Sequence, residues 1–413
     1  MDQGKLKKYA EAIVRIGVNV QDGDNIVVNT DTDSLELARE IVRACWRSGA
    51  ADVDTIISDN DMALGRFEEA KSEVFDHYPQ FKVDYSENHM KLKYHRISVS
   101  APRLDLFQDV EPDRLRRFSI SANKATEPIM RYMDVGDIKW VVAAAASELW
   151  AKSLFPELPV DEAMDALWEK IFAACRISDE LDAVTAWEEH DAKLKAYENW
   201  LNEQNFDYLH YEAPGTDFKV GLAEQHRWIG GSSLTPDGVR YMANMPTEEI
   251  FSTPHAKRAE GKLKSSMPLA ISGKVVEDFG FEFKDGKVVD FYAGKNGDVL
   301  ETQLNMDEAA RRLGEVALVP NSSPISQMGI TFKSTLFDEN ASCHFALGKA
   351  YAEAIIDGEK MTREERAELG FNESMIHLDF MVGGPELNVT GYYKDGSSRM
   401  VLENGEWAID LMD

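Results

Sequence analysis

The sequence predicts two domains: an α/β amino-terminal domain with a mostly parallel sheet over residues 1–205, and an antiparallel, β-rich α+β domain over residues 206–413. Three observations carry this expectation. At 413 residues the chain exceeds what one hydrophobic core ordinarily spans. The first half alternates helical and strand-like apolar periodicities, as βαβ units do. From about Asn205 the texture changes to short strand patterns joined by glycine-bearing turns.

Lys5 to Ile16 has apolar residues at helical spacing. After the turn signal DGDN, Asn25 to Thr30 (NIVVNT) reads as a β-branched strand. Asp33 or Ser34 can then cap a helix that begins at Leu35 and ends at Gly49. Asp52 to Ser58 alternates as the next strand and completes a βαβ unit, which implies parallel pairing. Further strands are expected at His95–Ala101 and Lys139–Ala146. Helical stretches are expected at Ala122–Met133, Asp161–Ile177 and Asp182–Gln204. In the second half, FEFKDGKVVDFYA is a hairpin turning at Asp285-Gly286. Two more turn at Asp395-Gly396 and Asn404-Gly405. Only two helices are expected there, Asp307–Gly314 and Cys343–Ile356, the second capped by Asn340 or Ser342.

The formal charge of −28 repels phosphate backbones and anionic lipid surfaces, so neither nucleic acid nor a membrane is an expected partner. Three scattered cysteines do not form a disulfide framework and fit a reducing compartment. The first residues are amphipathic without a secretory apolar stretch, and the longest apolar run, KWVVAAAASELW, is too short to span a bilayer. A cytoplasmic protein is expected.

Two short segments concentrate histidine beside carboxylate. In IHLDF, His377 and Asp379 are two apart on an expected strand and project to one face, while Ile376, Leu378 and Phe380 face the other. That pair suits a metal ion, and an ordinary buried histidine–aspartate pair would give the same pattern. In FDENASCHFALGKAYAEA, a helix starting near His344 would put Tyr351 two turns on, on the same face, with Glu339 in the loop before it. Such an arrangement either lines a pocket or is a capped core helix. Glu315 follows Gly314 at the head of an apolar strand, and Glu248 and Glu249 are adjacent, so at most one of them faces a site. Other chemistries are excluded. No GxGxxG follows the first strand, no HExxH occurs, and Cys343 beside His344 does not face it.

Taken together, NMPTEEIFSTPH, LGEVALVP, GITFKSTLFDENASCHFALGKAY and IHLDFMVG, in this order and spacing, resemble the thermophilic aminopeptidase family of metallopeptidases, the aminopeptidase T and aminopeptidase S group. The likeness extends to VRIGVNVQDGDNIVV near the start of the chain. The resemblance implies a metalloaminopeptidase acting on peptides with a free N-terminus, two divalent ions (Zn²⁺, Co²⁺ or Mg²⁺) and a homodimer. It places metal ligands at Glu249, Glu315, Glu339, His344, His377 and Asp379, and an active-site tyrosine at Tyr351. Glu249 is preferred to Glu248 on its spacing to Glu315. Four carboxylates and two neutral imidazoles would balance two divalent ions. Within that set Glu315 is the expected bridge, Glu249 or Glu339 the expected general base, and Tyr351 the expected donor to an oxyanion. The alternatives are another two-metal hydrolase, esterase-like, or a non-enzymatic, metal-stabilised binding protein.

Overall fold

The computed structural model of the chain describes residues 1–103, 106–134, 136–271 and 274–411. It separates into two compact units. Met1–Glu188 with Ser232–Pro246 form one, and Glu189–Gly231 with Thr247–Asp413 form the other. The chain first passes between them inside the helix Ala183–Gln204, at whose end the boundary expected at residue 205 falls.

In the first unit, Asn25–Asp31, Asp52–Ser58, Tyr94–Ser100 and Trp140–Ala144 are all parallel, in spatial order second, first, third, fourth. Asn244–Met245 adds a short parallel strand beside the fourth. Ile26, Val28, Ile97, Val99 and Val141 are buried, as β-branched residues of a covered parallel sheet should be. Where a cap from Asp33 or Ser34 is expected, Asp31 acts instead. Its carboxylate accepts from the Ser34 amide (2.9 Å) and from the Ala101 amide (3.1 Å), which ties the ends of the first and third strands together. The helix expected at Ala122–Met133 is part of a longer one, Pro112–Asp134.

The second unit stacks two antiparallel sheets. The larger is built from Tyr208–Ala213, Thr216–Leu222, Pro254–Lys264, Lys274–Lys284 and Lys287–Lys295, and is extended on its other side by Asn388–Tyr392, Ser398–Glu403 and Glu406–Trp407. The turn at Asp285-Gly286 has both residues at positive φ (51° and 75°), and so does that at Asn404-Gly405 (49° and 79°), the left-handed pair that a two-residue hairpin requires. The smaller sheet runs His377–Met381, His344–Gly348, Leu313–Leu318, Ile250–Ser252, Ile229–Gly230. Phe345 and Phe380 of the smaller sheet meet Tyr211, Phe218 and Phe281 of the larger, with ring centroids 4.9 to 5.4 Å apart. This aromatic core fixes the small sheet by one face and leaves the other free for chemistry.

Both helices expected in this half are corrected. His344 to Gly348 is a strand, followed by a short turn at Ala352–Ala354, so Asn340 and Ser342 cap no helix, and His344 and Tyr351 share no helix face. The strand is buried along its whole length, so HFALG carries no alternation, and a short apolar run cannot be assigned by periodicity. The helix expected over Asp307–Gly314 contracts to a single turn, Ala309–Arg311, because Asp307 accepts from the Ala309 and Ala310 amides and the chain then enters the sheet at Leu313. The helix in this region is Gly297–Leu304.

Candidate metal centre

Strand register assembles the site. Across the small sheet Glu315 lies opposite Ala346, and Ala346 opposite Asp379. One pair further along, Ala317 lies opposite His344. In the other direction Gly348 lies opposite His377. Residues two apart share a face, so Glu315, His344, His377 and Asp379 all project from one side. Val316, Phe345, Leu347, Leu378 and Phe380 project from the other, into the aromatic core. Phe251 pairs with Ala317, and Glu249, two residues before Phe251, falls on the same side as Glu315. Alanine and glycine at 346, 317 and 348 keep the floor low between the polar side chains.

Two glycines make this register attainable. At Gly314 the pairing shifts by one residue, and a Cβ there would sit 2.4 Å from the Gly348 carbonyl oxygen. Gly348 has φ of +100°, and its Cβ would meet the Ile376 carbonyl oxygen at 2.1 Å. The strands carrying Glu315, His344 and His377 are therefore closed against one another at their ends by backbone alone.

Six of the seven residues singled out in the sequence come together closely. His344 Nε2 is 3.0 Å from Glu249 Oε2 and 3.4 Å from Glu315 Oε1. His377 Nε2 is 3.6 Å from Glu315 Oε2 and 3.2 Å from Asp379 Oδ1. Tyr351 packs its ring against His377, tilted at 55° with centroids 4.8 Å apart. Glu339, the seventh, sits on the short turn Glu339–Ala341. It is outside the two tight groups but within electrostatic reach of Glu249, Asp379 and Glu315. Glu248 turns away from its neighbour, toward His190 (3.6 Å), so the adjacent pair faces opposite ways.

Each histidine is locked in one tautomer. His344 donates Nδ1–H to the Ser342 carbonyl (3.0 Å), and His377 donates Nδ1–H to the Lys349 carbonyl (2.7 Å). Both Nε2 lone pairs therefore point at carboxylates. Glu249 Oε2 and His344 Nε2 are buried and face each other at 3.0 Å, and neither makes a hydrogen bond. Two buried acceptors in contact are unfavourable unless a proton or a metal ion lies between them. Two groups, Glu249–Glu315–His344 and Glu315–His377–Asp379, each bring their ligand atoms within 4.8 Å of one another. Imidazole nitrogen with carboxylate oxygen is a donor set for borderline divalent ions, so the residues present fit a metal.

The protonation pattern tells the same story. Burial opposes charge on His344, but Glu249 and Glu315 outweigh it and hold the imidazole well above its usual value. His377 is likewise raised, to about 9, where Asp379 and Glu315 overcome its burial. Desolvation, reinforced by Glu249 and Asp379, raises Glu315 and lifts Glu339 well above the carboxylate range. Asp379 stays low in spite of its burial because His377 faces it. Without a cation the cluster keeps protons where an ion would sit. Desolvation and the surrounding carboxylates also hold the Tyr351 phenol well above its usual value, so it remains a donor, while the residue as a whole is 40% exposed.

Cys343, next to His344, is a structural thiol. Its sulfur bonds the Val319 backbone on both sides (3.2 and 3.3 Å), and burial raises it to about 11. Sequence reasoning missed Asn340 as anything but a helix cap. It is fully buried among the site's supports, and its only signal was its place beside Glu339.

A profile of the thermophilic metalloprotease (M29) family matches residues 2–407. Aminopeptidase AmpS of Bacillus subtilis (strain 168) is 40% identical over 404 residues, 98% of each chain. Aminopeptidase T of Thermus aquaticus is 38% identical over 404 residues, again 98% of each. Among solved structures, wild-type AmpT from Thermus thermophilus matches with a TM-score of 0.92 at 35% identity, covering 98% of this chain and 100% of that one.

Proposed function

The chain belongs to the thermophilic metalloprotease (M29) family and is a metal-dependent aminopeptidase acting on peptides; from that premise we propose that it removes the first residue of short peptides at a centre holding two divalent cations. The observation that supports two ions rather than one is the Glu315 carboxylate, which turns one oxygen to His344 and the other to His377. Glu249 and His344 would hold one ion, His377 and Asp379 the other, and Glu315 would be shared. Zn²⁺ and Co²⁺ suit the imidazole donors better than Mg²⁺ does.

Bound cations supply a Lewis acid for the scissile carbonyl and a water whose pKa falls toward about 7. The chain's own groups do the rest. The Ser342 and Lys349 carbonyls hold both imidazoles in the ligating tautomer. Glu249 is engaged with His344, so the proton-carrying role falls to Glu339, which lies outside the two tight groups. Tyr351 keeps its hydroxyl proton and can donate it in a hydrogen bond to the developing oxyanion. No helix among the described residues is long and apolar enough to cross a membrane. A cytoplasmic homodimer is proposed from the family resemblance, and sedimentation velocity tests the assembly.

The test of function is hydrolysis of Leu-p-nitroanilide and a short free-amine peptide by chelator-stripped protein with Zn²⁺, Co²⁺ or Mg²⁺ restored. An N-acetylated peptide is the control. Metal-restored cleavage of the free-amine substrates alone is expected. Equal cleavage of the acetylated peptide would exclude an exopeptidase.

A further inference from the structure

We propose that Asn340 is a positioning residue that holds Glu249 and Glu339 in a fixed relation and thereby sets the affinity of the metal centre; this rests on the two-cation reading above. The two glutamates come from segments 90 positions apart, one entering the Ile250–Ser252 strand and the other on the turn Glu339–Ala341. The Asn340 amide joins them. Its Oδ1 accepts from the Glu248 backbone N–H at 2.6 Å, directly behind Glu249. Its Nδ2 donates to the Leu336 carbonyl at 2.9 Å and reaches Glu339 Oε1 at 3.4 Å. The side chain is fully buried, so both donors and the acceptor are committed and no water can substitute.

The chemistry of an amide is what the position demands. An alanine would leave the Glu248 N–H buried without its acceptor and free both glutamate segments to move. An aspartate could not donate to Leu336 or to Glu339 and would add a charge to a site already crowded with carboxylates. The main-chain oxygen of the same residue is held separately, by the Ser323 hydroxyl at 2.7 Å. That bond stabilises the turn without touching either glutamate, so it gives a control for softening alone.

The experiment uses the full chain, stripped with chelator and titrated with Co²⁺ against a chromophoric competitor, with the visible absorption of bound Co²⁺ read in parallel. Asn340→Ala is expected to bind Co²⁺ about 10- to 100-fold more weakly, as loss of a partner that orients metal ligands does, with an altered Co²⁺ spectrum. Ser323→Ala is expected to keep the wild-type affinity and spectrum. Asn340→Ser, which retains a small polar group, gives the same readout if the alanine variant does not fold. Wild-type affinity and spectrum in the Asn340 variants would overturn the proposal, and so would an equal loss in Ser323→Ala. Failure of the wild-type protein itself to take up Co²⁺ would overturn the two-cation reading and this proposal together.

Discussion

Metal affinity should depend steeply on pH, and the size of the effect follows from one imidazole. In the absence of a cation His377 is held up to about 9 by Asp379 and Glu315. An ion that uses Nε2 must displace that proton. At pH 7 the group is two pH units below its midpoint, where it is half deprotonated, so the apparent affinity of the ion bound through His377 should be about 50-fold weaker than at pH 9, or about 2.3 kcal/mol. Between those limits the dependence is about one decade per pH unit. His344 is raised as well, by Glu249 and Glu315, so the ion it helps to hold should also bind more weakly as pH falls. Competition titrations with Co²⁺ at pH 6.5 to 9 measure the slope. Calorimetry at pH 7 in two buffers of different ionisation heat counts the protons, and close to one released per ion is expected. An affinity that is flat from pH 7 to 9, with no proton release, would refute the reasoning. It would mean that His377 Nε2 faces Asp379 and Glu315 without a proton.

The same protons make the stripped protein pH-sensitive. His344, His377, Glu315 and Glu339 all have raised values, so the folded chain holds more protons than the unfolded one. The histidine contribution is fully present below about 6.5 and is lost as pH rises through about 9, so the melting temperature of stripped protein should fall over that window while that of loaded protein does not. Tyr351→Phe keeps the ring on His377 but removes the donor; kcat should drop about 10²- to 10³-fold with KM little changed, in steady-state assays of the loaded enzyme. Phe345→Ala empties the centre of the inter-sheet aromatic cluster and should cost about 3–5 kcal/mol in urea unfolding. Cys343→Ala should retain metal-dependent turnover, because that thiol is buried and held against Val319; loss of turnover with metal binding intact would contradict its structural role.

What could be read from the sequence was whatever local alternation or turn chemistry determines. IHLDF shows its two faces openly because the strand lies at the edge of its sheet, with polar residues confined to one side. Asp285-Gly286 and Asn404-Gly405 announce their hairpins because few other residues tolerate two successive positive φ angles. The opposed directions of Glu248 and Glu249 likewise follow from local backbone geometry. The pattern around His344 reads as a helix start because its strand is central and buried throughout, which erases the period. The shift at Gly314 that brings Glu315 opposite Ala346 depends on contacts with the distant Gly348 and Lys349 carbonyls, and no local pattern encodes it. The family resemblance supplied His344 and Glu315 as candidate ligands where periodicity could not. Asn340 stayed hidden because its partners Glu248 and Ser323 are remote in sequence.

The central claim is that Glu315 is shared between two cations, and metal stoichiometry tests it most directly. Stripped protein would be loaded with Zn²⁺ or Co²⁺ at pH 8, freed of excess ion and analysed by inductively coupled plasma mass spectrometry, beside Glu315→Ala. Two ions per chain are expected in the wild type and fewer than one in the variant, since the glutamate contributes to both ligand groups. A wild-type chain that saturates at one ion, or a Glu315→Ala chain that still holds two, would contradict the account.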